Sequence, residues 1–346
     1  MEPPIVKPSR TVRPLWHKAI AVMAVCFGAQ SFAIGQTAVK FTDIPGPGNL
    51  LARVAISKGY CKQHGLDCQL QVIPAAPLGV QAMLAGTVDS ALSPVDVMIG
   101  AVKNGSPMKM VVGALASNLL VLVERNEVSP PNAGKPYPQF MEGLKGKRIG
   151  VIARGSSSET GMRYLFLKAG LNPDDATYIA VGGAVTAYNA LQSKQIDFAM
   201  IVEPVGSICN VSKTCRVVWR GASDKEPAAL YGLNGGNIGQ LFLQKTINEK
   251  PAMIAAVIRA MSDADTFINN PANFEEVLKI ATSYFKFELP DGDAVMRANL
   301  QQFIRDRTYS AAISRKAIAA GLDYLRDSKY EVGAIGVADL VYDKAP

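Results

Sequence analysis

Arg154-Gly155-Ser156-Ser157-Ser158-Glu159 gathers three hydroxyls and a guanidinium around one glycine, at the start of a helix-spaced segment. Small residues let a partner approach the backbone, and the first N–H groups of a helix lack internal acceptors. The N–H groups and hydroxyls of Ser157 and Ser158 could therefore hold an oxyanion such as a sulfonate, nitrate or carboxylate. Arg154 could add charge. Ser156 and Glu159 also stand at capping-box spacing, so an ordinary Ser-capped surface helix is the competing reading. Glu203-Pro204 closes an apolar run; Glu203 could accept from an amine or hydroxyl, or serve as a first-turn helix acid. Asn49 and Asn118 could bond a polar group or act as turn residues. Ala76-Pro77 and Ser93-Pro94 each follow a short strand-like run, so Ala76 and Ser93 join the candidates. Gly46-x-Gly48 starts like a dinucleotide loop, but Leu51 stands where its third glycine belongs and Pro47 stiffens the turn.

Other chemistries find less to work with. The chain has two histidines, His17 and His64, too few for an ordinary His-rich metal centre. Cys61, His64 and Cys68 could offer three ligands on one turn, but no partner cluster accompanies them. Cys209 and Cys215 lack the Cys-x-x-Cys spacing of a redox pair. No nucleophile–base pair can be placed among the candidates. No catalytic residue, metal or cofactor is expected.

The elements that must position these residues read as one pattern written twice. Strands over 39–41, 70–73, 90–92 and 111–114 alternate with helices over 50–61 and 78–85 and one opening at Ser93-Pro94-Val95-Asp96. There Ser93 is expected to cap, with Asp96 in the first turn. Strands over 148–152, 178–181 and 197–202 then alternate with helices over 159–169 and 184–192 and one opened by Glu203-Pro204. Val88-Asp89-Ser90-Ala91-Leu92 matches Ile196-Asp197-Phe198-Ala199-Met200, and Gly65-Leu66-Asp67 matches Gly170-Leu171-Asn172. A duplicated unit accounts for both. Asp89 and Asp197 precede strands, which favours structural turn roles.

Strands alternating with helices imply an α/β fold: two lobes, each a parallel-core sheet with flanking helices. Helices follow from 251 onward, after a returning strand over 239–244. The chain then crosses between lobes twice, near 120–126 and 233–241, which makes a hinge. Lobe 1 is expected over 36–125 plus 235–346, and lobe 2 over 126–234. In open parallel sheets, ligands bind beyond the carboxyl ends of the strands. That end holds the serine loop of lobe 2 and Asn49, Ala76, Ser93 and Asn118 of lobe 1.

Composition narrows the class. With 49% hydrophobic and 19% charged residues, the chain of 346 residues is not the low-hydrophobicity type that stays disordered. Its 36 basic and 29 acidic residues give a net charge of +7, scattered without the basic stripe of a nucleic-acid binder. Residues 1–35 read as a secretory signal: a basic start (Lys7, Arg10, Arg13, Lys18), an apolar run over 19–29, and small exits at Ser31-Phe32-Ala33 and Ala33-Ile34-Gly35. The run is too short to span a bilayer. Val25 before Cys26 argues against lipidation. Export leaves Cys61, Cys68, Cys209 and Cys215 in two close pairs. Four cysteines permit three connectivities. Local pairing is expected, each short loop contributing roughly 2–2.5 kcal/mol.

Taken in order, several motifs resemble one family. Glu142-Gly143-Leu144-Lys145-Gly146-Lys147-Arg148-Ile149-Gly150-Val151 followed by Gly155-Ser156-Ser157 is similar to the "DLKGKRIGV…GS" signature of periplasmic solute-binding proteins. These are the nitrate/sulfonate/taurine-type ABC-transporter receptors, a group that includes thiamine-pyrimidine-precursor binders. Leu84-Ala85-Gly86-Thr87-Val88-Asp89 resembles the family's "LLAGEVD", and Glu203-Pro204 its "EP". The resemblance covers nearly all of 37–341. It implies a two-lobe, type II periplasmic-binding-protein fold that closes on one small-molecule ligand and docks on an inner-membrane ABC permease, as a periplasmic monomer. The cysteine pairs stand outside the family pattern, and Val202 occupies the place of its usual Trp. An enzyme of pyrimidine-precursor or menaquinone type on the same scaffold, and a ligand sensor for a signalling receptor, are the alternatives.

Overall fold

The computed structural model describes residues 36–346 except Ser129, Asn237 and Lys329, together with Met1 and Pro4. Apart from those two terminal residues the expected export signal, Cys26 included, lies outside the described residues. The first sheet starts with β1 (Thr37–Asp43), β2 (Leu66–Val72) and β3 (Ser90–Pro94), interleaved with α1 (Leu50–Ser57), α2 (Tyr60–Gln63) and α3 (Ala76–Leu84). Gly59 takes a left-handed φ of 75° and divides the single helix expected over 50–61 into α1 and α2. Helix α4 (Val95–Lys103) and β4 (Met108–Leu115) complete this run.

The second sheet repeats the plan with β6 (Arg148–Val151), α5 (Ser157–Lys168), β7 (Thr177–Ala180), α6 (Ala184–Gln192), β8 (Phe198–Val202) and α7 (Val205–Ser212). It also takes β5 (Leu120–Arg125) and β9 (Cys215–Arg220), and α8 (Ala228–Tyr231) leads back to β10 (Ile238–Leu243) in the first sheet. Strand orders are β2-β1-β3-β10-β4 and β7-β6-β8-β5-β9. The first three strands of each sheet are parallel. The strand that crosses from the other sheet, β10 or β5, lies antiparallel beside them.

This pairing moves the expected lobe boundary. The reading that ended lobe 1 at residue 125 assigned 120–125 to the first lobe. In the structure Leu120–Glu124 pair with Val202–Phe198 in the second sheet. Val121, Leu122 and Val123 have no exposed surface, because this strand is central and covered on both faces. Such strands read as continuous apolar runs, here Leu119-Leu120-Val121-Leu122-Val123, rather than as connections.

The duplication holds at the level of single bonds. Lys40 N donates to Asp89 Oδ2 at 2.9 Å, and Arg148 N donates to Asp197 Oδ2 at 3.1 Å. Each aspartate fastens the strand beside it, β1 at Lys40 in its middle and β6 at its first residue, Arg148. Asp197 also receives Arg148 Nη2 at 2.8 Å and Arg125 Nη2 at 3.2 Å. The hydrogen bond from Arg148 leads in holding its carboxyl down, to about 2. A carboxyl with a depressed folded pKa stabilises above its ordinary value and loses that stabilisation as pH falls through the folded one. Asp197→Asn is therefore expected to cost about 1–2 kcal/mol at neutral pH, after allowance for the half-exposed Arg148. In denaturant titrations the gap from the parent should close between about pH 4 and pH 2. A gap that persists at low pH would refute the charge argument.

Both disulfides join near neighbours. Cys61 at α2 meets Cys68 in β2 with sulfurs 2.11 Å apart, and Cys209 in α7 meets Cys215 in β9 at 2.06 Å. Each fixes a helix to the strand that follows it.

The carboxyl-terminal third is helical: α9 (Gln244–Glu249), α10 (Pro251–Ile268), α11 (Phe274–Tyr284), α12 (Gly292–Arg305), α13 (Arg315–Asp327) and α14 (Val337–Leu340). Ile254, Val257, Met261, Ala264 and Ile268 form the buried stripe of α10, which packs on α1. Helix α13 packs on α4 and α8, so the end of the chain reaches the junction of the two sheets.

Candidate ligand-binding site

The carboxyl ends of β1, β2 and β3 face those of β6, β7 and β8 across a cavity of about 530 Å³. Loops 44–48 and 74–77 and the start of α4 border it from one sheet. Ile152, Ser156, Ser157 and residues 181–186 and 202–204 border it from the other. Its walls are mainly Pro, Val, Leu and Ile, with few polar groups between them.

The structure sorts the expected site residues. Ala76, Asn118, Ser156, Ser157 and Glu203 border the cavity. Asn118 is bound from three sides: its side-chain amide donates to Leu230 O at 2.9 Å and accepts from Leu120 N at 3.2 Å, while its backbone N–H donates to Asn234 Oδ1 at 2.7 Å. It braces the crossing segment.

Asn49, Ser93, Ser158 and Arg154 do not border the cavity. Asn49 is fully buried and uses its side chain within the first sheet, donating to Thr42 O and accepting from Gln240 Nε2, both at 2.9 Å. Ser93 is also fully buried and bonds Pro94 O at 3.2 Å. It does not cap: the strand runs through Pro94, which takes the N-cap place in an extended conformation. Ser158 Oγ is held by Ile152 N and Ser156 Oγ at 2.9 and 2.8 Å. Arg154 turns to Glu159, 3.0 Å away, with most of its side chain in solvent. The expected capping box does not form. Ser156 Oγ donates to Ala153 O at 2.7 Å, and Glu159 Oε2 accepts from Gly155 N at 2.9 Å. Glu159 instead serves Arg154 and Arg163.

Glu203 acts as the acid of a helix start. Its Oε2 accepts from Gly206 N at 3.0 Å and Ser207 N at 3.3 Å, and Oε1 pairs with Arg220. Glu203 is thus a buried, neutralised corner of the cavity.

The serine loop is engaged by an acid that sequence reading placed only as a helix-start residue. Asp96, in the first turn of α4, accepts from Ser157 Oγ at 2.7 Å and Thr160 Oγ1 at 3.0 Å across the interface between the sheets. Val97 N donates to the same carboxylate at 2.9 Å. Asp96 is packed round by protein yet keeps surface on the cavity. Burial pushes its carboxyl up, and the bonds from Ser157 and Thr160 offset part of that rise. No Lys, Arg or His pairs with it among the described residues. A ligand anion at the same helix end would lie beside this carboxylate. Two like charges 4 Å apart repel by about 4 kcal/mol at an effective dielectric of 20.

Tyr324 of α13 also borders the cavity, and only 1% of its surface is exposed. Its hydroxyl makes no hydrogen bond of ordinary geometry among the described residues, although the Thr160 side chain lies near enough to offset part of the rise in its pKa. Burial raises its pKa well above the ordinary tyrosine value, and the nearby Asp96 charge adds to this. Phe285 and Phe287, ring centroids 4.9 Å apart and edge to face, border the cavity from the segment after α11. Neither Tyr324 nor the phenylalanine pair carried a sequence signal. Asp96 did, as an acid four residues past the strand-like run over 90–92 in a Ser-Pro-x-Asp helix start.

Comparisons with known proteins agree with this fold. Residues 51–212 match the family model described as NMT1/THI5 like. Proteins of Brucella abortus (strain 2308) and Brucella suis biovar 1 (strain 1330), named provisionally as binding proteins, are 25% identical over 279 residues, 78% of this chain and 80% of theirs. A solved protein of Bordetella bronchiseptica RB50 superposes with a TM-score of 0.73 at 21% identity, over 90% of this chain and 96% of that one. The alkanesulfonate-binding protein SsuA of Xanthomonas axonopodis pv. citri gives 0.67 at 17% identity, over 89% and 98%. The periplasmic nitrate-binding protein NrtA of Synechocystis PCC 6803 gives 0.66 at 12%, over 86% and 83%. Residues 51–212 are thus similar to the NMT1/THI5-like family model, within a chain that has the periplasmic-binding-protein fold.

Proposed function

We propose that this chain is the solute-binding component of an ABC import system, capturing one small molecule in the periplasm and handing it to an inner-membrane permease. The observation that carries the reading is the cavity of about 530 Å³ bordered by the strand ends of both sheets. That volume suits a small organic ligand. A molecule that touches both walls binds the closed arrangement better than the open one, and this difference is what shifts the population. The chain crosses between sheets at two places, after β4 and after β9, as a hinge requires. The Brucella proteins, SsuA and NrtA are named for binding, the last two for binding alkanesulfonate and nitrate. Within this reading Ala76, Asn118, Ser156, Ser157 and Glu203 shape the cavity. Asn49, Ser93 and Ser158 support its walls from behind, and Arg154 stays outside.

The test is capture followed by uptake. Purified protein is equilibrated with a small-molecule extract of growth medium, and retained compounds are identified by mass spectrometry. One compound should be retained, should reduce the radius of gyration in X-ray scattering, and should enter cells lacking this chain more slowly. Conversion of the compound into a product would favour an enzyme. Retention with undiminished uptake would favour a sensor.

A further inference from the structure

The polar groups facing the cavity are unevenly matched in charge. Glu203 is neutralised by Arg220. Asp96 has hydroxyl and backbone donors but no cationic partner among the described residues. Its Oδ1 already accepts from Val97 N and Ser157 Oγ, whereas Oδ2 accepts only from Thr160 Oγ1. A carboxylate oxygen accepts two bonds, so Oδ2 keeps one lone pair. The Tyr324 hydroxyl, buried beside Thr160 but without a hydrogen bond of ordinary geometry, borders the same cavity from α13, the helix packed on α4. The basic side chain at the border, Lys286, is exposed on the rim beside Glu288, which is also exposed.

On the receptor reading above, we infer that the ligand joins an apolar body to a nitrogen donor, at its strongest a protonated amine, seated on Asp96 and Tyr324. An N–H group satisfies the free lone pair of Asp96 and an acceptor site on Tyr324 in one place. A positive charge also compensates a carboxylate that the protein leaves without a counter-ion, and buried charges are stable when paired and hydrogen-bonded. The aliphatic walls take the apolar body, and the Phe285–Phe287 pair offers an aromatic face that favours cations. The oxyanion expected from the serine loop does not fit, because Asp96 already occupies the Ser157 and Thr160 hydroxyls.

Four probes with one body and different heads test this: phenethylamine, phenethyl alcohol, phenylacetate and benzylsulfonate, each titrated calorimetrically into purified protein. The amine should bind about tenfold or more tighter than the alcohol, as a charge-assisted bond requires, with both anions weakest. Asp96→Asn should bring the amine to the alcohol's level and leave the alcohol within about twofold. The asparagine amide can still meet Ser157 and Thr160. Tyr324→Phe removes a hydroxyl that makes no hydrogen bond of ordinary geometry within the protein, so it should weaken the amine about threefold with little change in the melting temperature. Tightest binding by either anion overturns the inference, as does equal loss for all probes in Asp96→Asn, or no binding by any probe at millimolar concentration. None of these touches the receptor reading, which the uptake measurement decides separately.

Discussion

Arg53→Ala is expected to lower the unfolding free energy by about 3–5 kcal/mol, because it strands a buried carboxylate. Arg53 is 1% exposed, and its partner Asp43 at the end of β1 is 5% exposed. Nε donates to Asp43 Oδ1 at 3.0 Å, while Nη1 and Nη2 donate to Gly46 O at 2.5 Å and Ile44 O at 3.2 Å. Asp43 Oδ1 also accepts from Asn49, which takes a bond from Gln240, and Ser90 donates to Gln240 in turn. The guanidinium therefore fixes the loop after β1, and Asp43, through Asn49, Gln240 and Ser90, ties β1 to β10 and β3. Residues 44–48 border the cavity, so ligand affinity should fall with stability. Removing both charges, in Asp43→Asn with Arg53→Met, should recover much of the loss, since a paired deletion leaves no orphaned charge. Denaturant unfolding of the two variants decides it. Equal losses would show that the charge itself was not the issue.

Arg220→Leu is expected to cost about 3 kcal/mol for the same reason, now in the second sheet. Glu203 and Arg220 are both largely covered, and burial holds the Arg220 pKa below its ordinary value. Gly206 leaves room for the pair: a Cβ there would meet Arg220 Nη2 at 2.6 Å and Glu203 Oε1 at 2.7 Å. Glu203 borders the main cavity and also a second one of about 360 Å³, which Arg220 lines too. The substitution should therefore weaken ligand binding by thinning the wall between the cavities. Adding Glu203→Gln should restore part of the stability. A double-mutant cycle with a coupling near zero would sink the proposed pairing.

The parallel plan of both sheets was legible because strand and helix periods differ and because the unit occurs twice. Asp89 and Asp197 carried their role in the sequence as well: a short acid before a buried strand reaches a backbone N–H of the neighbouring strand in each copy. Local disulfides were the expected one of three permitted connectivities, and the structure forms them. Strand β5 was misplaced because a run of five apolar residues carries no period and can serve as strand or connection. Its membership of the second sheet rests on hydrogen bonds to β8, far along the chain.

The candidate site divided along the same line. Strand order and breakers located the loops that border the cavity, since they lie at the carboxyl ends of parallel strands. The chemistry inside it came from contacts between distant segments. Ser157 and Asp96 are 61 residues apart, and nothing local to either marks the serine hydroxyl as already engaged. Tyr324 reaches the cavity only because α13 packs on α4. Asn49 and Arg154 have the residue types of a binding site, yet one is consumed by the core and the other points to solvent. Sequence by itself determined the architecture and the end of each sheet where a ligand can lie, because periodicity and turn chemistry are local. Only the tertiary structure decided which polar groups remain free to meet a ligand, because hydrogen-bond partners are assigned by packing across the whole chain.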